Sequence, residues 1–321
     1  FLGSDTDDYT YEALKLFLLG AISRAFQPGC KFEVMLCLVG GQGAGKSSFF
    51  RLLAVNDDWF SDDLKKLDDE NVYRKMQGHW IIEMSEMIAT ANAKSIEEIK
   101  SFLSRQKETY KIPYETHPAD RKRQCVFGGS SNTLDFLPLD RTGNRRFVPV
   151  MVYPERAEVH ILADEQASRE YINQMWAEAM EIYRSGNFRL RFSPAMNDYL
   201  KAHQKDFMPE DTKAGQILDY LERYSGSIVC SKQLYKEALG HDYDEPKQWE
   251  LREINDIMNN AVTGWRAFSN PRYFPEPYRR QKGWERIRND NEPDNSMDGF
   301  QEIPTEEMEQ LGLPEEWLKQ K

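Results

Sequence analysis

Gly40-Gly41-Gln42-Gly43-Ala44-Gly45-Lys46-Ser47 fits the pattern G-x-x-x-x-G-K-S/T. In that pattern the glycines let backbone N–H groups turn toward phosphate oxygens at a helix N-terminus, the lysine reaches the β- and γ-phosphates, and the hydroxyl ligates Mg²⁺. Such chemistry needs a strand before the loop and a helix after it, and both are legible. Val34 to Val39 is a continuous apolar run followed by glycine, the mark of a strand buried on both faces of a parallel sheet, and Ser48-Phe49-Phe50-Arg51-Leu52-Leu53 reads as a helix. Gly40 to Ser48 are therefore the expected nucleotide cradle, for ATP with Mg²⁺.

A phosphate cradle does not choose among kinases, GTPases and motors, so the acid that holds the metal matters next. Glu83, 37 residues after Lys46, stands at the end of the apolar run Trp80-Ile81-Ile82, with Glu86 three residues on. A strand-terminal acid is placed to hold Mg²⁺ and a second to orient the attacking water. Glu83 is assigned to the metal with Ser47, and Glu86 to the water. A third run, Cys125 to Gly129, leads into Ser130-Ser131-Asn132, which sets Asn132 as a polar group beside the γ-phosphate. Arg145-Arg146 precede a further strand at 147–151, and one of the two, unspecified by sequence, is expected to stabilise phosphoryl-transfer charge at a neighbouring subunit's site while the other makes a structural ion pair. That role requires an oligomer. Neither an N-K-x-D base-reading motif nor an L-S-G-G-Q stretch occurs.

These residues sit in a pattern of strands alternating with helical segments over 30–150, which predicts an α/β domain with a mainly parallel sheet. A helix is expected over 8–27, stopped by Pro28-Gly29, another at 95–106, and a helical stretch over 162–207. Residues 213–288 read as three helices (213–224, 231–239, 246–260) and then two strands, Trp265 to Phe268 and Gly283 to Ile287, around a basic turn. The expected organisation is an N-terminal helical segment (1–30), a P-loop core (31–155), a helical extension (156–210), a winged-helix-like domain (211–288) and an acidic tail (289–321). The chain starts at Phe1 with no basic, apolar leader, and reads as part of a longer protein.

The net charge of −11 opposes binding to phosphate at long range, but it is unevenly spread. Residues 289–321 carry ten acids against two bases, whereas 101–125 carry six bases against three acids and 266–288 seven against two. The last two are candidate phosphate-contacting patches. The four cysteines are scattered without C-x-x-C spacing and the five histidines offer no H-E-x-x-H, so neither a disulfide framework nor a zinc hydrolase is expected. No apolar run approaches the length of a membrane helix.

The order of phosphate loop, Glu83, Asn132 and Arg145-Arg146 resembles the superfamily 3 helicases, a branch of the AAA+ ATPases. Cys37 to Phe50, Trp80 to Glu86 and Arg141-Thr142-Gly143-Asn144-Arg145-Arg146-Phe147 look like the virulence-associated protein E family of prophages and pathogenicity islands. The resemblance covers residues 3 to about 210. It departs from the wider superfamily in that the paired acids, usually adjacent, are here Glu83 and Glu86. It implies an AAA+-type P-loop core and a DNA-gripping hairpin before the third strand. In this sequence Lys107 to Arg123 holds that position, with arms Tyr110 to Tyr114 and Arg121 to Gln124 around a turn at Thr116 to Asp120. Lys107, Lys111, His117, Arg121 and Lys122 are the expected DNA contacts there, and Arg279, Arg280 and Lys282 those in the C-terminal wing.

The reading that follows is a ring-forming, hexameric ATPase acting on single-stranded and forked DNA during replication of a mobile element in the bacterial cytoplasm. A replication initiator or a primase module is the expected partner. The alternative is an ATP-switched DNA-binding initiator or regulator that does not unwind.

Overall fold

The computed structural model describes residues 1–64, 67, 72–85, 93–111, 116–139 and 143–287. Glu86, Ile112-Pro113-Tyr114, Arg141-Thr142 and the acidic tail, all singled out above, lie outside the described residues. The chain divides into two compact units, one of Phe1–Thr212 and one from Lys213 onward.

The first unit opens with α1 (Asp8–Phe26), whose N-cap Asp7 accepts a hydrogen bond from the Thr10 amide. The helix is not an amphipathic surface element. Leu16 to Arg24 are buried without interruption, so the three- and four-residue apolar spacing understates how much of the helix lies inside. Then follow β1 (Met35–Val39), α2 (Lys46–Leu53), β2 (Phe60–Ser61), α3 (Val72–Lys75), β3 (Ile81–Ser85), α4 (Ala93–Leu103), β4 (Lys107–Tyr110), β5 (Ala119–Lys122), β6 (Val126–Ser131), β7 (Phe147–Met151), α5 (Glu165–Ser185) and α6 (Pro194–His203).

Five strands form one parallel sheet in the order β2-β3-β6-β1-β7. Both faces are covered, as continuous apolar runs require. Along β1 the side chains alternate between two cores, Leu36 and Leu38 joining α1, α2 and α5, and Met35, Cys37 and Val39 joining α4 and Phe207. The same alternation puts Ile81 on the α2 face and Ile82 and Met84 on the other. Glu83 therefore shares the α2 face. A Cβ on Gly128 of β6 would stand 2.4 Å from the Phe50 ring, so the bare backbone there is what lets α2 lie flat on the sheet.

Several boundaries differ from the sequence reading. The stretch 162–207 is two helices, because Gly186 caps α5 in the left-handed conformation (φ 68°) and Ser193-Pro194 starts α6 with a new side-chain cap. The third strand runs through Ser131 instead of ending at Gly129, so Ser130 and Ser131 belong to the sheet. The hairpin pairs Lys107 with Lys122 and Tyr110 with Ala119, so its strands start and end earlier than the expected arms, and Ala119 and Asp120 lie in a strand. β2 is too short, at two residues, to show a periodicity.

The second unit contains α7 (Thr212–Arg223, its first residue in the first unit), β8 (Ile228–Val229), α8 (Ser231–Gln233), α9 (Gln248–Asn260), β9 (Trp265–Ala267), β10 (Arg272–Phe274), β11 (Arg279–Gln281) and β12 (Trp284–Arg286). The helix expected over 231–239 is one α turn followed by a π turn at Leu234–Ala238. The expected strand pair is present, Trp284 facing Ala267, and β8 adds a third strand to it. The basic turn between them is itself a hairpin, β10 with β11. A core of Ile217, Leu221, Val229, Leu234, Ile254, Ile257 and Trp284 holds the unit together. Among the described residues no helix is long and apolar enough to cross a membrane.

Candidate functional site

β3, β6 and β1 are neighbours, and the parallel register aligns their C-terminal ends, with Ser85 opposite Ser130 and Ser131 opposite Val39. β6 and β1 thus deliver Ser130, Asn132 and the glycine loop to one end of the sheet; Glu83 is not strand-terminal as expected but the middle residue of β3, two residues short of that end. The loop turns into α2 at Gly45, whose φ of 79° favours glycine and whose missing side chain leaves the helix N-terminus without a side-chain cap. The first-turn amides and the positive end of the helix dipole are accordingly available to an anion.

Lys46 Nζ donates to the carbonyls of Gly40 and Gly41, at 2.7 Å each, and to Asn132 Oδ1 at 2.9 Å. Ser47 Oγ donates to Glu83 Oε1 at 2.8 Å, and Ser130 Oγ donates to the same oxygen at 2.5 Å. Glu83 is fully buried, and its second oxygen, Oε2, has no hydrogen-bond partner among the described residues. A buried carboxylate oxygen left unpaired is costly, and it lies on a group already tied to the P-loop hydroxyl. That donor set, a hydroxyl and a carboxylate of oxygen ligands only, fits Mg²⁺.

His160 is a contact that the sequence did not signal. The Leu162 amide donates to its Nδ1 (3.2 Å), which fixes the protonated nitrogen as Nε2, and Nε2 lies 3.2 Å from the carbonyl of Gly43. The contact ties the Gly43 carbonyl of the loop to a side chain distant in sequence. A lone histidine 117 residues from its partner has no spacing signature. Ser130 was likewise missed, because a serine at the end of an apolar run reads as a turn residue.

Arg145 and Arg146 immediately precede β7, whose first residue faces Met35, the first residue of β1. They stand at the opposite end of the sheet from the P-loop, about 20 Å away at roughly 3.3 Å per residue. Both meet Glu33, Arg145 Nη2 donating to Oε1 at 3.1 Å, while Arg146 Nε donates to Ser104 Oγ at 2.9 Å and lies 3.6 Å from Glu33 Oε2.

The expected DNA contacts fall into two groups in two separate units. On the β4–β5 hairpin, Lys107 pairs with Asp120, Arg121 stacks over the Tyr110 ring at 5.1 Å, and Lys111, His117 and Lys122 are exposed. In the second unit Arg279 pairs with Glu276, Arg280 donates to the Pro271 carbonyl at 3.5 Å, and Lys282 follows β11. Within the first unit the β4–β5 hairpin is a separate two-stranded sheet, apart from the five-stranded sheet that carries the phosphate loop.

The model of the virulence-associated protein E-like domain matches residues 1–209. The chain belongs to that family. No match was found among curated proteins. Among solved structures, the A-form apo structure of the NrS-1 C-terminal region aligns with 88% of this chain and 72% of its own, at 14% identity and a TM-score of 0.49. An apo structure of the NrS-1 C-terminal region aligns with 87% and 72%, at 13% identity and a TM-score of 0.46. The virulence-associated protein E-like domain covers nearly all of the first unit, including the P-loop, Glu83, Asn132, the hairpin and the arginine pair, and stops short of Lys213.

Proposed function

We propose that this virulence-associated protein E-like protein is an Mg²⁺-dependent ATPase with an AAA+-type core that assembles into a ring, a hexamer, and moves along single-stranded DNA, opening forks during replication of a mobile element. The observation that carries this reading is the convergence of Lys46, Ser47, Glu83, Ser130 and Asn132 on one edge of a parallel sheet, under an uncapped helix N-terminus.

In this reading the first-turn amides of α2 and the Gly43–Ala44 peptide cradle the phosphates, and Lys46 exchanges its present carbonyl partners for β/γ-phosphate oxygens. Ser47 and Glu83 would hold Mg²⁺, which when bound would offset the negative charge of the phosphates. Asn132, already hydrogen-bonded to Lys46, is the residue proposed to orient the lytic water; Glu86 remains the proposed water-activating acid. Water attacks the γ-phosphorus, the bond to the β–γ bridging oxygen breaks, and ADP, inorganic phosphate and a proton leave. The distance of Arg145-Arg146 from their own P-loop favours donation to a neighbour's site, hence a closed ring. In the second unit the three-stranded sheet with its helices and the β10–β11 hairpin support a winged-helix reading, with Arg279, Arg280 and Lys282 on DNA. An initiator or primase module is the proposed partner.

The ATP-switched initiator or regulator is the second reading. It is favoured by the Lys107–Asp120 pair, which neutralises part of the hairpin's charge internally. Strand displacement on a forked substrate separates the two: displacement that needs ATP supports the motor. ATP turnover by oligomeric protein without displacement supports the switch.

A further inference from the structure

The two arginines that sequence leaves equivalent are unlike in the structure. Arg146 has a side chain 21% exposed, its Nε is fixed on Ser104 Oγ of the α4 end, and its backbone carbonyl accepts the Met35 amide at 2.7 Å, at the start of β1. Moving that guanidinium would give up its contacts with Ser104 and Glu33. Arg145 is 68% exposed, and among the described residues its guanidinium meets Glu33. An exposed ion pair of that kind is worth at most about 1 kcal/mol, so Arg145 can leave it at little cost.

Glu33 is held independently of Arg145. Lys31 Nζ lies 3.1 Å from its Oε2, Ser104 Oγ donates to the same oxygen at 2.9 Å, and Arg146 flanks it. Burial by itself would raise its pKa, but the hydrogen bonds from Lys31 and Ser104 and the charge of Arg146 outweigh burial together, and the carboxyl sits below its ordinary range. It is an anion held by several partners, of which Arg145 is the most exposed.

We infer that Arg145 is the guanidinium that reaches a neighbouring subunit's γ-phosphate, that Arg146 is the structural member of the pair, and that Glu33 is a positioning residue that keeps Arg145 at the subunit edge until the neighbour's nucleotide takes it over. The inference rests on the shared-site reading above. A planar fork that binds two phosphate oxygens at once explains why an arginine and not a lysine stands there.

The test is steady-state ATP hydrolysis by the full chain with Arg145→Ala, Arg145→Lys, Arg146→Ala and Glu33→Gln, each alone and mixed with Lys46→Ala. Arg145→Ala and Arg145→Lys should keep the wild-type melting temperature, lose roughly 10³-fold in kcat, and recover turnover when mixed with Lys46→Ala, which retains the finger. Arg146→Ala should instead lower the melting temperature. Glu33→Gln should lower kcat several-fold with KM for ATP unchanged, and should add nothing to Arg145→Ala, since both act through one group. Wild-type turnover that survives in Arg145→Ala overturns the assignment. A Glu33→Gln loss that is fully additive with Arg145→Ala, or no loss, overturns the role of Glu33. Wild-type protein that hydrolyses no ATP at all overturns the nucleotide-site reading itself, and is thereby distinguished from these.

Discussion

Ser47 Oγ donates to Glu83 Oε1 across 2.8 Å, joining the first turn of α2 to β3 through a carboxylate that is fully buried. Ser130 of β6 completes the contact on the same oxygen. Hydroxyl, acid and phosphate loop are thus linked through side chains that the sheet, and not chain proximity, brings together. The linkage leaves Glu83 Oε2 unpaired in the interior among the described residues, where an uncompensated charge costs more than a neutral group.

Glu83→Gln follows from that geometry. The amide keeps an acceptor for Ser47 and Ser130 but removes the buried charge, so the melting temperature without nucleotide should equal or exceed that of wild type. ATP hydrolysis should fall by about 100-fold or more, and binding of a fluorescent ATP analogue should persist. Thermal unfolding, equilibrium binding and phosphate release measured on one preparation check all three. A large loss of stability would mean that the carboxylate is a structural ion and not a metal ligand.

His160 gives a second test. Its Nε2–H and the Gly43 carbonyl lie 3.2 Å apart, so His160→Ala should release that peptide and raise KM for ATP several-fold with a smaller change in kcat. Gln places an amide N–H near the Nε2 position and should recover most of the affinity. Titration of nucleotide binding in the three proteins decides it, and equal affinities would show that the loop holds its shape unaided.

Acid should loosen the packing of α5 on α2. Arg51 and Arg169 bridge Asp57 and Glu165 at 2.8–3.0 Å. Asp57 is held below its ordinary range first by the hydrogen bond from Arg169 and then by Arg51, and Glu165 first by Arg51 and then by Arg169. A depressed folded-state pKa contributes stability that is complete above the unfolded value near 4 and is lost as pH falls through the folded value. The melting temperature should therefore drop between about pH 5 and pH 3, and Arg169→Ala should flatten that drop. Because the two carboxylates are 42% and 52% exposed, 1 M salt should flatten it too.

Much of the first unit was legible because its signals are local. The glycine loop, the apolar run before it and the acid ending another run are patterns of neighbouring residues; the sheet brings Ser47 and Glu83 into contact, although Glu83 lies mid-strand and not at the strand end. What was not legible depends on contacts distant in sequence. His160 meets Gly43 across 117 residues, Arg24 is buried within α1 despite its charge, and Ser130 acts only because β6 lies beside β3. Arg145 and Arg146 are the same residue type in the same loop, and only burial and the contact with Ser104 separate them. In the second unit the two-residue strand β8 and the π turn at Leu234–Ala238 carry no periodicity long enough to read.

The central claim, that this cluster is an ATP-hydrolysing site driving a DNA motor, is tested most directly by steady-state ATP hydrolysis in Mg²⁺, with and without single-stranded DNA, at low and moderate salt, with Lys46→Ala as the blank. The account predicts turnover that Lys46→Ala abolishes and that DNA stimulates, the stimulation fading as salt displaces phosphate contacts. Turnover equal in wild type and Lys46→Ala, or hydrolysis indifferent to DNA at every salt concentration in oligomeric protein, would contradict it.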